Sequence, residues 1–232
     1  MRFMSMIQKF TGAVALAGVI AMSSFSAHAA TPEETITLFT DAILEAMDDE
    51  ADSSMLDRYE IMYDGVGETF DLKVLARATI NRVYWKTWSG EQQADYAEML
   101  HRYQSAVLAD RFEPGSDISF TIDNTIDAPR GTKIVETSII RDDDDDIGLD
   151  YRLVKRSDRW RIIDIYLDSK ISEVAMRRSE YSAVVRDEGY DALMTALEDQ
   201  IIDVLGSDYE ELYGEDDEDF DEEEDLEEYE DT

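Results

Sequence analysis

The sequence predicts an α+β domain in which a meander of about four antiparallel strands is covered on one face by helices from both ends of the chain. Between residues 31 and 114, apolar residues recur at the three- and four-residue spacing of amphipathic helices. From residue 117 to 168 apolar and polar residues alternate, as in half-buried strands. After residue 172 the helical spacing returns. Short connections between strands favour an antiparallel sheet with one apolar face, which the helices must cover.

The first helix begins at the segment TPEE, residues 31–34, which places Thr at the N-cap, Pro at the first helical position and acids in the first turn. Its apolar stripe predicts an end near Asp48. A second, short helix is expected over residues 56–65. The pair Phe70-Asp71 opens a third helix.

A fourth helix is expected after Ser89, which forms a capping-box pattern with Gln92. The expected buried stripe of this helix comprises Tyr96, Met99, Leu100, Tyr103, Val107 and Leu108. His101 is expected on its polar or boundary side. Pro114-Gly115 then ends the helical half of the chain.

Four segments carry the strand pattern, and two helical segments follow them. The strands are expected near residues 118–122, 132–141, 148–155 and 159–168, and the helices from Ser172 and over residues 190–205. Asp142 to Asp146 form a run of five acids between the second and third strands. The run lacks the alternating ligands and final acid of a calcium loop, so it is interpreted as a solvated loop that discourages sheet-edge association.

Both ends of the chain differ from its centre. Residues 1–29 combine Arg2 and Lys9 with an uncharged run and the small-x-small segment Ala27-His28-Ala29, which predicts a cleaved secretory signal peptide. The uncharged run is short of the ~20 apolar residues that a membrane-spanning helix needs. Residues 207–232 are acidic and poor in apolar residues, which predicts a disordered tail. The domain itself is expected over residues 30–206.

Composition excludes several functional classes. The formal net charge is −35, so neither nucleic acid nor an anionic membrane surface is an expected partner. The chain contains no Cys and only 2 His, one of them inside the signal peptide, which excludes thiol catalysis and multi-His metal sites. Glycine-rich phosphate loops and a G-x-S-x-G nucleophile turn are also absent. We therefore expect no enzyme, no metal and no cofactor.

Four C-terminal segments form a specific pattern: RWRIIDI at residues 159–165, I-S-x-V at 171–174, RSEY at 178–181 and G-Y-x-A-L at 189–193. In these segments the chain resembles the toluene-tolerance (MlaC) family of periplasmic lipid-binding proteins, whose members include a hopanoid-associated protein. Upstream, the pairs Phe70-Asp71 and Tyr84-Trp85 and the segment S-x-E-Q at 89–92 occur in the expected order. The resemblance covers most of residues 31–205. One departure is Ser169, where the family usually has Gly, so this turn is expected to be less tight.

The resemblance implies a periplasmic carrier that holds phospholipid acyl chains in an apolar cavity between sheet and helices. Its implied partners are an inner-membrane ABC transporter complex and an outer-membrane lipoprotein complex, and the processed chain would not be an integral membrane protein. The side chains expected to contact lipid are Tyr84, Tyr103, Val107, Phe120, Tyr151, Leu153, Ile163, Ile165, Val174 and Arg178. Arg178 is expected near the mouth, either paired with Asp164 or Asp168 or contacting a lipid phosphate.

Three questions stay open at the level of sequence. Periodicity does not distinguish a closed core from a core that leaves a cavity. A hydrolase on a similar α+β fold and an interaction module that acts through the acidic tail are the alternative functions. Residues 151–181 also carry eight of the 21 Lys and Arg residues. The basic side chains of the last hairpin are interpreted as a docking face for an acidic partner or for the tail itself.

Overall fold

The computed structural model describes residues 31–48, 54–141 and 145–214, and confirms the α+β class. Helices precede and follow an open antiparallel sheet of five strands in the order β1-β2-β3-β4-β5. The helices are α1 (Pro32–Ala46), α2 (Met55–Thr69), α3 (Leu72–Thr79), α4 (Arg82–Trp85), α5 (Gly90–Arg111), α6 (Glu173–Asp187), α7 (Tyr190–Leu205) and α8 (Asp208–Tyr213). The strands are β1 (Ile118–Ala128), β2 (Thr132–Arg141), β3 (Ile147–Arg156), β4 (Arg159–Leu167) and β5 (Ile171–Ser172).

Helix starts agree with the capping patterns in the sequence. Thr31 and Glu34 form a complete capping box at α1, because each side chain bonds the backbone N–H of the other residue. Ser89 and Gln92 do the same at α5. These reciprocal bonds satisfy N–H groups that have no partner inside the helix.

Helix α2 is longer than expected because its glycines lie inside the helix and mark close helix contacts. A Cβ placed on Gly65 would lie 2.7 Å from the Cβ of Ala42 in α1. A Cβ on Gly67 would lie 3.2 Å from the imidazole of His101 in α5. The glycines therefore let three helices approach one another, and the helix continues through them to Thr69.

The sheet is a meander with two irregularities. A register shift between Ile122 and Asn124 marks a bulge, after which β1 continues as a mostly exposed edge strand to Ala128. A second shift, between Arg152 and Leu153 of β3, leaves Ile163 of β4 as the extra residue. Bulges of this kind disturb strict alternation, which explains why β1 extends beyond the alternating segment of the sequence.

Two short motifs of the sequence join helices to β4. The short segment between α2 and α3 pairs with β4. Phe70 forms an isolated β-bridge with Ile162, and the Asp71 N–H donates to the Ile162 carbonyl at 2.9 Å. Asp164 of β4 accepts hydrogen bonds from the Ser172 hydroxyl at 2.7 Å and the Val174 N–H at 3.2 Å. Asp164 therefore fixes the start of α6 against the sheet.

The buried residues form two clusters. The sheet–helix core places Val135, Tyr151, Leu153 and Ile162 of the sheet against apolar residues of α1, α2 and α5. The helical cluster lies between α3, α5, α6 and α7, together with the segment that precedes α5. Its members are Ala76, Ile80, Trp88, Tyr96, Leu100, Tyr181, Val185, Leu193 and Leu197.

The start of the expected disordered tail is helical. Residues 208–213 form α8, in which the Tyr213 hydroxyl lies 2.5 Å from that of Tyr59 in α2. The guanidinium of Arg102 lies 4.0 Å from the centroid of the Tyr213 ring. These aromatic and cation–π contacts order a segment whose composition predicts disorder. The expected signal peptide, Asp142 to Asp144 and residues 215–232 lie outside the described residues.

Candidate functional site

An apolar cavity of about 330 Å³ lies between the sheet and helices α1 and α5. This volume is at the lower end of the range for small-molecule sites. Seventeen residues line it: Phe39, Ile43, Met47, Gln104, Leu108, Arg111, Phe112, Ser116, Ile118, Ile139, Arg141, Ile147, Leu149, Tyr151, Ile165, Leu167 and Glu173. Most are hydrocarbon or aromatic side chains, so the cavity offers a surface suited to a hydrocarbon ligand.

The opening of the cavity is marked by its exposed lining residues. Arg111 at the end of α5 and Ser116 after it are exposed, and Leu167 at the end of β4 is 44% exposed. Arg141, at the end of β2, donates from Nε to the Asp145 carbonyl at 3.2 Å. Two guanidinium groups thus lie among the residues that line the cavity and its rim.

The inner end of the cavity is polar. Tyr151 of β3, Gln104 of α5 and Glu173 of α6 line it. Tyr151 is fully buried and Gln104 is 6% exposed. Burial raises the pKa of the Tyr151 hydroxyl, and the nearby Glu173 carboxylate raises it further, so this hydroxyl stays protonated. The three side chains combine hydrogen-bond donors and acceptors in an otherwise apolar space.

Arg177 of α6 lies behind the inner end. Its Nη2 lies 2.5 Å from Oε1 of Glu173, and its Nη1 donates to the Tyr181 hydroxyl at 2.6 Å. The guanidinium also lies 4.8 Å from the centroid of the Tyr103 ring. Burial alone would lower the pKa of Arg177, but the Glu173 carboxylate and the two tyrosines raise it, so the buried group stays charged. This pairing closes the cavity on the side of the helical cluster.

Comparison with known proteins identifies the family. The sequence profile of the MlaC protein family matches residues 38–199. The chain belongs to the MlaC family. The fold is also similar to the crystal structure of a phospholipid-binding protein from Ralstonia solanacearum in complex with a phospholipid. That similarity has a TM-score of 0.63 at 15% identity, and covers 73% of this chain and 96% of the other. No curated protein sequence matches this chain significantly.

The lipid-contact residues expected for this MlaC-family chain fall into several environments. Tyr151 and Ile165 line the main cavity. Val174 lines a much smaller void next to its inner end, together with Ile165 and Glu173. Phe120 packs at 6.2 Å, between ring centroids, from Phe112 of the cavity wall. Their contact with lipid stays a prediction.

Four other expected residues do not line the main cavity. Leu153 is fully buried in the sheet–helix core, and Tyr103 lies beside Arg177. Val107 is half-buried on α5, and Ile163 is half-buried at the β4 bulge. None of these four side chains is among the cavity lining given above. Their contact with lipid likewise stays a prediction.

Tyr84 and Arg178 line a separate shallow cleft between α4 and α6. The expected pairing of Arg178 with Asp164 or Asp168 is wrong. The Arg178 Nε donates to the Ala78 carbonyl of α3 at 2.6 Å, while Asp164 accepts from the start of α6. Arg178 thus ties α6 to the end of α3.

Three arginines of the β3–β4 hairpin have partners in α2 and in the segment after it. Arg156 Nε lies 2.6 Å from Oδ2 of Asp71, and Arg159 Nη1 lies 3.6 Å from Oε1 of Glu68. Arg161 donates to the Gly67 carbonyl at 3.3 Å. These bonds attach the end of α2 and the segment after it to the hairpin. They account for the position of the three arginines without an external partner.

The sequence patterns contain a signal for the lining residues that were missed. On α1, Phe39, Ile43 and Met47 follow at four-residue intervals and so share one helix face. On β3, Ile147 and Leu149 precede Tyr151 at two-residue intervals and share its side of the sheet. If the predicted lining had been continued along these faces, it would have included Met47 at the end of α1 and Ile147 on β3.

His101 is buried, and its expected boundary position is wrong. Its imidazole stacks on Tyr63 at 3.7 Å between ring centroids, and Nε2 lies 2.7 Å from the Tyr63 carbonyl oxygen. The glycine at position 67 makes room for the ring. His101 therefore joins α5 to α2. Within the described ranges, no group of three or more His, Cys, Asp or Glu side chains is arranged to hold a metal ion.

Proposed function

We propose that this MlaC-family chain binds a phospholipid. An acyl chain would lie in the cavity between the sheet and helices α1 and α5, and the head group would lie at the rim. The observation that carries this proposal is the apolar cavity with Arg111 and Arg141 in its lining. A guanidinium can bind two phosphate oxygens at once, which suits the head group of a phospholipid. The fold similarity to a protein crystallised with a phospholipid supports the same ligand class.

The energetics of this arrangement suit a carrier. Each methylene removed from water contributes about 0.8 kcal/mol, so a lipid leaves a bilayer only for a site that is nearly as apolar. A site that held the chain much more tightly than a bilayer would not release it. The cavity combines an apolar wall with an open, partly exposed rim, which permits both steps.

The cellular role follows from the family and from the sequence. We infer that residues 1–29 direct export and that the processed chain works in the periplasm. There it would carry lipid between an inner-membrane ABC transporter complex and an outer-membrane lipoprotein complex. No helix in the described part of the chain is long and apolar enough to cross a membrane.

Native mass spectrometry of the purified, processed protein tests the binding proposal. We expect a phospholipid adduct on the wild-type protein. Leu149→Trp places an indole in the cavity and should lower lipid occupancy at least tenfold. Leu38→Trp makes the same change at an exposed position of α1 and should leave occupancy unchanged.

A second variant tests the interaction-module alternative. Removal of residues 215–232 keeps α8 and its contacts to Tyr59 and Arg102, so the domain should remain folded. A carrier keeps its lipid after this truncation. Wild-type protein without lipid would contradict the proposal, and turnover of ester substrates by that protein would support the hydrolase alternative.

A further inference from the structure

The inner end of the cavity contains a buried hydroxyl and an amide that have no hydrogen-bond partner in the described part of the chain. Within the described ranges, the Tyr151 hydroxyl is the buried side-chain polar atom that lacks a hydrogen bond. The Gln104 residue is 6% exposed, and its side-chain amide makes no hydrogen bond among the same residues. Both side chains line the cavity. A buried hydroxyl or amide without a partner costs about 1–3 kcal/mol.

Other buried tyrosines of the chain have partners. Tyr96 is fully buried, and its hydroxyl lies 2.9 Å from that of Thr79. The Tyr59 hydroxyl lies 2.5 Å from that of Tyr213, and the Tyr181 hydroxyl accepts from Arg177 at 2.6 Å. The chain thus satisfies buried tyrosines elsewhere, and the exception is the one that lines the cavity.

The chemistry of the inner end defines what would bind there. Tyr151 and Gln104 can each donate and accept a hydrogen bond, and the Glu173 carboxylate accepts. The two hydrogen bonds that Arg177 donates to Glu173 both reach Oε1. A ligand hydroxyl can accept from Tyr151 or Gln104 while it donates to a neighbouring oxygen. A methyl terminus offers neither, and an ester carbonyl only accepts.

The depth of this polar group separates it from the head-group region. Tyr151 lies four residues along β3 from Ile147, which lines the cavity near the sheet end that carries Arg141. At the rise of a β-strand, four residues span about 14 Å. A ligand atom that reaches Tyr151 therefore belongs to the hydrocarbon portion, well removed from a phosphate held at the rim.

We propose that Tyr151 and Gln104 form a hydrogen-bonding subsite for a hydroxyl carried on the lipid's hydrocarbon, remote from its head group. The inference rests on the proposed function, because it assumes that hydrocarbon enters this cavity. It adds a ligand class: the chain selects lipids with a mid-chain hydroxyl over lipids with plain acyl chains. An entirely apolar cavity would have the opposite preference, because the hydroxyl would lose its water without compensation.

Competition binding against a fluorescent fatty-acid probe tests this subsite on the delipidated protein. Stearate, 12-hydroxystearate and 2-hydroxystearate have the same chain length and differ only in the hydroxyl. We expect 12-hydroxystearate to bind about two- to tenfold more tightly than stearate, as one net hydrogen bond provides. The 2-hydroxy isomer places its hydroxyl beside the carboxylate and should show no such gain.

Three variants locate the preference. Tyr151→Phe and Gln104→Leu should each remove it or reverse it while stearate still binds. Tyr96→Phe removes a buried tyrosine hydroxyl outside the cavity and should keep it. Circular dichroism of each variant verifies folding before binding is compared.

The outcomes separate this proposal from the proposed function. Equal or weaker binding of 12-hydroxystearate by the wild type would overturn the subsite alone, and would fit an inner end that is filled by water. A preference that survives in both Tyr151→Phe and Gln104→Leu would place the hydroxyl elsewhere and also overturn it. If the delipidated protein bound neither the probe nor any of the three fatty acids, the proposed function itself would fail.

Discussion

The helical cluster and the sheet–helix core are both built from large apolar side chains, but the space beside them differs. The cavity of the sheet–helix core is mostly apolar, whereas the cleft of about 660 Å³ beside the helical cluster, between α3 and α5, includes the charged side chains of Lys73, Arg77 and Glu98. In the helical cluster the Trp88 ring packs edge-on against Tyr96 and Tyr190, at 5.2 and 4.9 Å between centroids. Tyr96 also shares a hydrogen bond with Thr79. In the sheet–helix core a cavity of about 330 Å³ borders the buried Tyr151, whose hydroxyl has no partner within the described residues.

The two regions also differ in which residues adopt a positive φ. Non-glycine residues with positive φ, among those described, are Arg130, Ser157, Asp168 and Ser169. All four lie in connections between strands. The connections around α7 use Gly189 and Gly206 at positive φ, which glycine adopts without strain. Asp168 and Ser169 directly follow Leu167 of the cavity lining, whereas Arg130 and Ser157 lie in turns at the opposite end of the sheet. We infer that the helical cluster supplies stability and that the sheet region accepts open volume, with backbone strain beside the site at residues 168–169.

The largest contrast is expected from the same leucine truncation in each region. Leu197 is fully buried in the helical cluster, so Leu197→Ala should lower the free energy of unfolding by about 2–5 kcal/mol. Leu149 lines the existing cavity, so Leu149→Ala removes fewer contacts and should cost about 1 kcal/mol. Urea denaturation of ligand-free protein measures both values. Equal losses would contradict the difference in packing.

A larger side chain at the same two positions tests the difference in packing from the opposite side. Leu197→Trp forces an indole into a closed cluster and should destabilise the protein by about 1–3 kcal/mol. Leu149→Trp can place its ring in open space, so its midpoint of thermal unfolding should stay close to that of the wild type. A comparable loss of stability in both variants would mean that the cavity does not tolerate a larger side chain.

Much of the fold could be predicted from the sequence because its determinants are local. The segment TPEE at residues 31–34 and the Ser89–Gln92 pair define helix starts, and alternation defines the strands. The fifth strand could not be predicted, because residues 171–172 pair only through the tertiary register with β4. Helix α8 was missed for a similar reason, since its order depends on contacts of Tyr213 with distant residues.

The candidate site was less predictable than the fold. Leu153 and Tyr151 share one face of β3, yet Leu153 packs into the closed core and Tyr151 lines the cavity. Periodicity gives the face of each residue, but not whether an opposing helix fills the space in front of it. His101 shows the same limit, because the room for its ring comes from Gly67 on another helix.

Removal of a single tyrosine hydroxyl should change the free energy of unfolding in opposite directions in the two regions. Tyr96→Phe breaks the bond to Thr79 and should cost about 1 kcal/mol. Tyr151→Phe removes a buried hydroxyl that has no partner among the described residues, so the ligand-free protein should gain up to about 1 kcal/mol. The midpoints of urea unfolding at unchanged slope compare the two. A loss in Tyr151→Phe would show that its hydroxyl is satisfied in solution.

The smallest effect is expected from relieving strain in the sheet region. Asp168 and Ser169 have φ of 49° and 56°, and the Lys170 N–H donates to the Leu167 carbonyl at 3.1 Å, as in a tight turn with two left-handed residues. A non-glycine residue in this conformation costs about 1–2 kcal/mol, part of which glycine loses again through its freedom in the unfolded chain. Ser169→Gly should therefore stabilise the protein by about 0.5–1 kcal/mol in urea denaturation.

Ser179→Gly, at an exposed position inside α6, should destabilise the protein by about 0.5 kcal/mol, because there glycine weakens a helix. If both variants lost stability, the turn would not be strained, and the contrast between the two regions would concern packing alone.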